Sequence, residues 1–315
     1  MLLPLRRRSL PLMLLASILV SACGGGGGDS AAPASRAVTT IAIQEPGAPT
    51  VTGNTALDGI NWFNFRRQQL GLSTLTRSNT LDASAQGHSN YQAINGVISH
   101  VQTMGMPGFT GASLANRLAA AGYNFTQGSH AYGEVISSTS STSGVYAAEG
   151  LITAIYHRFV ILEPMFKEIG AGTAVSAGGY TYFTTNFGAN GLETGLGKGN
   201  IVTYPFKDQL RVPRNFFSDD ELPDPVPGKN EVGFPISIHA DILATVTVQS
   251  FTVQPRGGAS LPVQLLARAN DAKTPTSVAA IVPLDPLTAG TTYDVQFAGT
   301  VNGVNVTRSW SFTTQ

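Results

Sequence analysis

Five histidines, a single cysteine and a thin supply of charge set what chemistry this chain could perform. The histidines are His88, His100, His130, His157 and His239, and the cysteine is Cys23. Imidazole beside carboxylate can ligate a metal ion, move a proton or simply brace a fold. His130 stands four residues before Glu134, and His239 has only Asp241 as an acidic neighbour in sequence. No H-E-x-x-H or G-x-S-x-G occurs, and in the glycine-rich run 191–200 Lys198 precedes Gly199 where a phosphate-binding loop needs Ser or Thr. Charged residues are 12% of the 315, with 19 basic against 19 acidic and 35 glycines. No basic stripe follows residue 8, which excludes a nucleic-acid partner.

The cysteine's position is informative. Arg6, Arg7 and Arg8 precede the apolar stretch Leu10 to Val20, which is too short to span a bilayer core of about 20 residues and has the order of a secretory signal. Val20-Ser21-Ala22-Cys23 resembles the lipobox of bacterial lipoproteins, in which the cysteine becomes the first mature residue and carries lipid. The expectation is a signal peptide over 1–22, a Gly/Ala/Pro/Ser tether over 23–50, and a membrane partner held through acylated Cys23. Gly24 after the cysteine implies the outer membrane or cell surface, again by resemblance to such lipoproteins. A lone cysteine in an exported chain has no intramolecular disulfide partner.

The elements that must position these groups come next. Helical spacing of Leu57, Ile60, Phe63 and Leu70 stops at Gly71; Leu81 to Ile94 runs into Asn95-Gly96; Ser113 to Ala121 ends at Gly122; and Tyr146 to Leu162 is closed by Pro164. Gly179 to Gly188, with Tyr180, Tyr182, Thr184 and Phe187, reads as a strand. Helices followed by sheet segments predict an α+β domain over 51–205.

Within that domain Asn64, Arg67, Gly71-Leu72 and Leu75, then Leu81, Ala85 and His88, fall in an ordered pattern. It continues through Ser99-His100, Arg117 to Gly122-Tyr123, Gly133-Glu134, His157-Arg158, Ile161-Leu162, Pro164, Phe166 and Glu168 to Gly170. The pattern resembles bacterial members of the CAP superfamily, the cysteine-rich secretory protein, antigen 5 and pathogenesis-related group, also termed SCP-like. The resemblance implies a three-layer α-β-α sandwich with a cleft, and it carries over His100, Glu134 and His157 as cleft residues. Two imidazoles and a carboxylate suit Zn²⁺ or another divalent metal with an open position for water; a hydrogen-bonded His/Glu cluster without metal is the alternative. His130, four residues before Glu134, is either a group that orients the cluster from behind or an exposed loop histidine. The chain departs from the family pattern at Leu151, Ile155-Tyr156 and Val135, and Ala154 falls where animal and plant members place a further acidic ligand. Glu149, about 12 Å from His157 along a helix, does not replace it.

After a proline-rich linker over 206–230 the period changes to two. Tyr293, Val295 and Phe297, then Asn302-Gly303, then Val304, Val306, Trp310 and Phe312 describe a hairpin that sets Tyr293 opposite Phe312 and Val295 opposite Trp310. A phase slip between Val248 and Phe251 suggests a bulge. Pro283 to Tyr293 and the closing Trp310 segment resemble bacterial immunoglobulin-like domains, which implies an all-β sandwich over 231–315. Three functions stay open: a lipid-anchored envelope module binding a small molecule, a lipid or an envelope partner; a metal-dependent hydrolase or peptidase of envelope or extracellular substrates; and a structural or adhesive surface lipoprotein.

Overall fold

A computed structural model describes Ser21–Cys23 and residues 45–126 and 128–315. The signal segment before Ser21 lies outside the described residues, as does most of the tether.

Each helix begins where a side chain accepts the first free backbone N–H groups or where the chain turns out of extended structure. Helix α1 (Thr55–Gln69) is capped by Asn54, whose side chain accepts from Leu57 N at 2.9 Å. Helix α2 (Asn79–Asn95) ends at Gly96, whose φ of 64° is the left-handed turn expected of a C-terminal glycine. Helix α3 (Leu114–Ala120) opens on a reciprocal capping box between Ser113 and Asn116. The single helix expected over 146–162 is two, α4 (Gly144–Thr153) and α5 (Ile155–Ile161), broken at Ala154, which adopts φ −68°, ψ 122°. The cause is remote in sequence: the Glu221 carboxylate accepts from Ile155 N, Tyr156 N and His157 N at 2.7–3.2 Å, so α5 starts afresh on its own cap.

The first sheet comprises β1 (Ser21–Cys23), β2 (Thr76–Arg77), β3 (His130–Thr139), β4 (Glu168–Val175) and β5 (Thr181–Asn190), in the order β1-β3-β5-β4-β2. Strands β3, β5 and β4 are antiparallel neighbours, whereas β1 pairs with β3 and β2 with β4 in parallel. Helix α2 lies so close on β4 that a Cβ on Gly172 would stand 2.2 Å from Gln86 Cα, which restricts that position to glycine. Period-two alternation assigns the faces of β3: Tyr132 packs with Leu81, Leu114 and Leu118, while Gly133 and Val135 turn toward Val160 and Phe166. The region is α+β, with α2 and α3 on one side of the sheet and α5 on the other.

The C-terminal region is β-rich. Strands β6 (Val202–Tyr204), β10 (Ile236–His239), β12 (Val263–Ala267) and β13 (Val278–Pro283) form one four-stranded sheet. Strands β7 (Gln209–Val212), β11 (Val246–Pro255), β14 (Thr292–Val301) and β15 (Val304–Thr314) form another. The β14–β15 register pairs Tyr293 with Phe312, Val295 with Trp310 and Phe297 with Arg308, and β11 shifts register between Val248 and Ser250, as the alternation predicts. Residues 206–230, expected as a linker, carry β7, which pairs with β15, and β8 (Asn215–Phe217), which pairs with β9 (Glu231–Gly233).

Strand β13 is buried along its whole length because both of its faces are covered. Ala279 and Ile281 belong to the core shared with Val253, Val295 and Phe312; Ala280 and Val282 pack with Ile155, Tyr156 and Phe159 of α5. Arg158 is fully buried where the halves meet. It donates to Ile152 O at 2.6 Å and Pro235 O at 2.6 Å, with its guanidinium over the rings of Tyr204 and Phe234.

Candidate functional site

Glu134 is the centre of the site. Its strand face directs the carboxylate under α2 and α3, where it is 1% exposed. Arg117, from α3, donates Nη2 to both carboxylate oxygens at 2.7 Å, and His100 Nδ1 donates to Oε1 at 2.9 Å. The Asn186 amide, oriented with its nitrogen toward the carboxylate, donates to Oε2 at 3.1 Å and accepts from Ser84 Oγ and Ala85 N. Burial alone would push this carboxyl up; the Arg117 guanidinium, the His100 hydrogen bond and nearby His88 overcome it and hold Glu134 down at about 2. Arg117 also donates Nη1 to His100 O at 2.9 Å, so cation and carboxylate together grip both ends of His100.

The same grip extends through the loop joining α2 to α3. His88 Nε2 donates to Ser99 O at 2.7 Å and its Nδ1 accepts from Gln102 Nε2 at 2.9 Å, which is the neutral tautomer. Burial pushes His88 down to about 4 against the pull of Glu134, in keeping with that neutral state. Gln102 Oε1 in turn accepts from Thr110 N at 2.7 Å and Gly111 N at 3.3 Å. Residues 97–113 are thereby stitched from beneath to α2, α3 and β3.

His157 belongs to a different carboxylate. On α5, across the sheet from α2, its Nδ1 is 2.9 Å from Glu221 Oε1, both side chains being buried. His157 Nε2 is buried without a hydrogen-bond partner among the described residues. The structure brings His100 and Glu134 together and places His157 with Glu221 instead. Among the described residues no group of three or more His, Cys, Asp or Glu side chains could hold a metal ion. His130 lies four residues up β3 from Glu134, about 13 Å at 3.3 Å per residue, and stacks on Phe125 at 4.1 Å. His239 Nε2 meets Ser237 Oγ at 3.0 Å, and burial pushes the ring down to about 3.

Sequence reasoning passed over Arg117 and Glu221. Arg117 lies inside the matched pattern, and a basic residue on an otherwise apolar helix face was the available signal. Glu221 sits in the Asp219-Asp220-Glu221 run, inside the stretch 206–230 that reads as linker. A cavity of about 10 Å³, the room of about one water molecule, lies apart from these groups, lined by Tyr132, Phe159, Glu163, Phe166, Ile242 and Ser277 among others. Burial pushes Glu163 up to about 8, against hydrogen bonds from Met165 N and Ile242 N.

Residues 60–187 match the family model described as "CAP: Cysteine-rich secretory protein family". No curated protein matches the chain at a significant level. Solved structures with similar regions include an extracellular protein containing an SCP domain from Bacillus anthracis str. Ames. It is 23% identical over 45% of this chain and 44% of that one, with a TM-score of 0.37. An outer surface protein of Borrelia burgdorferi is 16% identical, over 41% of this chain and 88% of that one, with a TM-score of 0.35. Schistosoma mansoni venom allergen-like protein 4 is 11% identical, over 44% of this chain and 90% of that one, with a TM-score of 0.30. This chain thus spans less than half the length of the Bacillus protein. The part of the α+β region that holds Glu134, Arg117 and His100 lies within the residues that match this family model.

Proposed function

We propose that the protein is an exported, envelope-displayed binding module, anchored through acylated Cys23, in which the His/Glu cluster braces a presenting loop. The C-terminal β-rich region, read as an immunoglobulin-like sandwich, serves as its spacer. The carrying observation is the state of Glu134: both carboxylate oxygens accept from Arg117, one also from His100, and the group is held near 2. A carboxylate so committed is a poor proton acceptor and has little capacity left for a further ligand. The leader, the lipobox resemblance and the secretory description of the matching family support export.

The metal-dependent hydrolase reading needs His100, Glu134 and His157 on one ion. Those residues do not fit a shared Zn²⁺, because Glu134 is saturated and His157 is engaged by Glu221. Titration calorimetry with Zn²⁺ at pH 7.5 on the wild type and His100→Ala tests the choice. The binding-module reading expects no stoichiometric uptake by either protein. One-site binding lost in His100→Ala would restore the metal centre and overturn it.

A further inference from the structure

The loop gripped from beneath by Glu134, Arg117 and His88 is apolar on its outer side. Of the twelve exposed large apolar residues among the described residues, five fall in 94–106: Ile94, Val97, Val101, Met104 and Met106. Met104 is 80% exposed, and Ile94 and Val101 are each 61% exposed. The loop folds back on the end of α2, which brings 103–108 beside Tyr91, Ile94 and Asn95. Thr103 N donates to Tyr91 Oη at 2.9 Å, Asn95 Nδ2 donates to Pro107 O at 2.9 Å, and a Cβ on Gly108 would lie 3.5 Å from Ile94 Cδ1.

From this arrangement we infer that the 94–106 surface is a membrane-docking wedge, its occupant the interfacial region of a lipid bilayer. Between Asp82 and Arg117 the chain carries no Asp, Glu, Lys or Arg, so this stretch itself brings no formal charge into the acyl boundary and offers none to a charged protein partner. Much of the loop's backbone is already satisfied internally: Met106 N donates to Thr103 O, Phe109 N to Met106 O and Gln102 N to Ala112 O. Burial in lipid therefore strands few polar groups. The buried cluster supplies rigidity, so little ordering entropy is lost on docking. An acyl chain at Cys23 would keep the domain beside a bilayer, and to that extent the inference rests on the anchored reading of the preceding subsection.

The test uses the chain from Ser21 onward with Cys23→Ser, which keeps β1 in its sheet and removes the acylation site, so that acylation plays no part. The chain is sedimented with vesicles of phosphatidylethanolamine and phosphatidylglycerol, beside the variant Val101→Ser/Met104→Ser/Met106→Ser. Wild type is expected to partition onto vesicles, and the variant about tenfold or more weakly. A fluorophore sensitive to polarity attached through Met104→Cys should shift to the blue on vesicle addition, whereas one attached through Leu243→Cys should not. Equal partitioning of wild type and variant, or none by either, overturns the inference. So does a concentration-dependent dimer that disappears in the variant without vesicle uptake, which would assign the surface to a second copy. The anchored reading fails separately, if Cys23→Ser leaves membrane fractionation of the full chain unchanged.

Discussion

Replacing Glu134 by Gln keeps the shape of the side chain and removes its charge, which leaves the Arg117 guanidinium buried without its counter-ion. The wild-type pair has both side chains at or below 2% exposure and two hydrogen bonds of 2.7 Å. Breaking such a pair from one side costs roughly 3–5 kcal/mol, because an uncompensated charge stays in the core. The carboxyl's own titration gives a similar size. A group at 4.5 unfolded and held at about 2 folded contributes roughly 3 kcal/mol. Its folded value is depressed, so this contribution is complete above 4.5 and is lost as pH falls toward 2. Urea denaturation followed by circular dichroism should therefore show Glu134→Gln and Arg117→Met each destabilised by roughly 3 kcal/mol or more at pH 7. The double variant should recover much of that loss, since removing both charges leaves none stranded. The pH dependence of stability between 5 and 3 should flatten in Glu134→Gln. Single variants within 1 kcal/mol of wild type, or costs that simply add, would refute the reasoning.

Glu221→Ala should cost roughly 2–4 kcal/mol in the same assay, since it strips α5 of its cap and leaves His157 Nδ1 unpaired; amide exchange at 155–157 should quicken. Glu163, held up at about 8, binds its proton more tightly folded than unfolded, so the stability it contributes below 4.5 is lost as pH rises through 8. Glu163→Gln should therefore gain on wild type from pH 5 to pH 9, and a constant difference across that range would contradict the assignment. Trp62 and Trp310 report the two halves of the chain separately. Because β13 is packed between them, fluorescence of Trp62→Phe and Trp310→Phe variants should reveal coincident urea transitions once each variant's own stability loss is allowed for. Separate transitions within one variant, seen by fluorescence and circular dichroism, would show independent halves.

Much of the local structure was legible from residue type. Gly96 and Gly122 end helices because a glycine takes positive φ freely, and the Asn302-Gly303 turn at φ 51° and 75° set a hairpin register that alternation alone could predict. The site was half legible. His100 and Glu134 were found, but His157 was assigned to them by pattern, when the parity of β3 turns Glu134 toward α2 while α5 packs beyond Gly133 and Val135. The partner that does engage His157 lies 64 residues later in a proline-rich acidic run, and nothing local marks Glu221 as buried. The same carboxylate explains the break at Ala154, which helix propensity cannot show because it is made by a tertiary contact. Residues 206–230 read as linker for a similar reason: their strands are stabilised by partners far along the chain, at β15 and β9.

Whether Glu134 is an ionised brace throughout the folded range is read most directly by carbon-13 NMR of glutamate-labelled protein through a pH titration, with Glu134→Gln identifying the resonance. The Glu134 carboxyl carbon is expected to stay at its ionised shift until the protein unfolds in acid. A reversible titration in the folded state with a midpoint at or above 4.5 would contradict it, since a carboxylate held by Arg117 and His100 cannot take up a proton there.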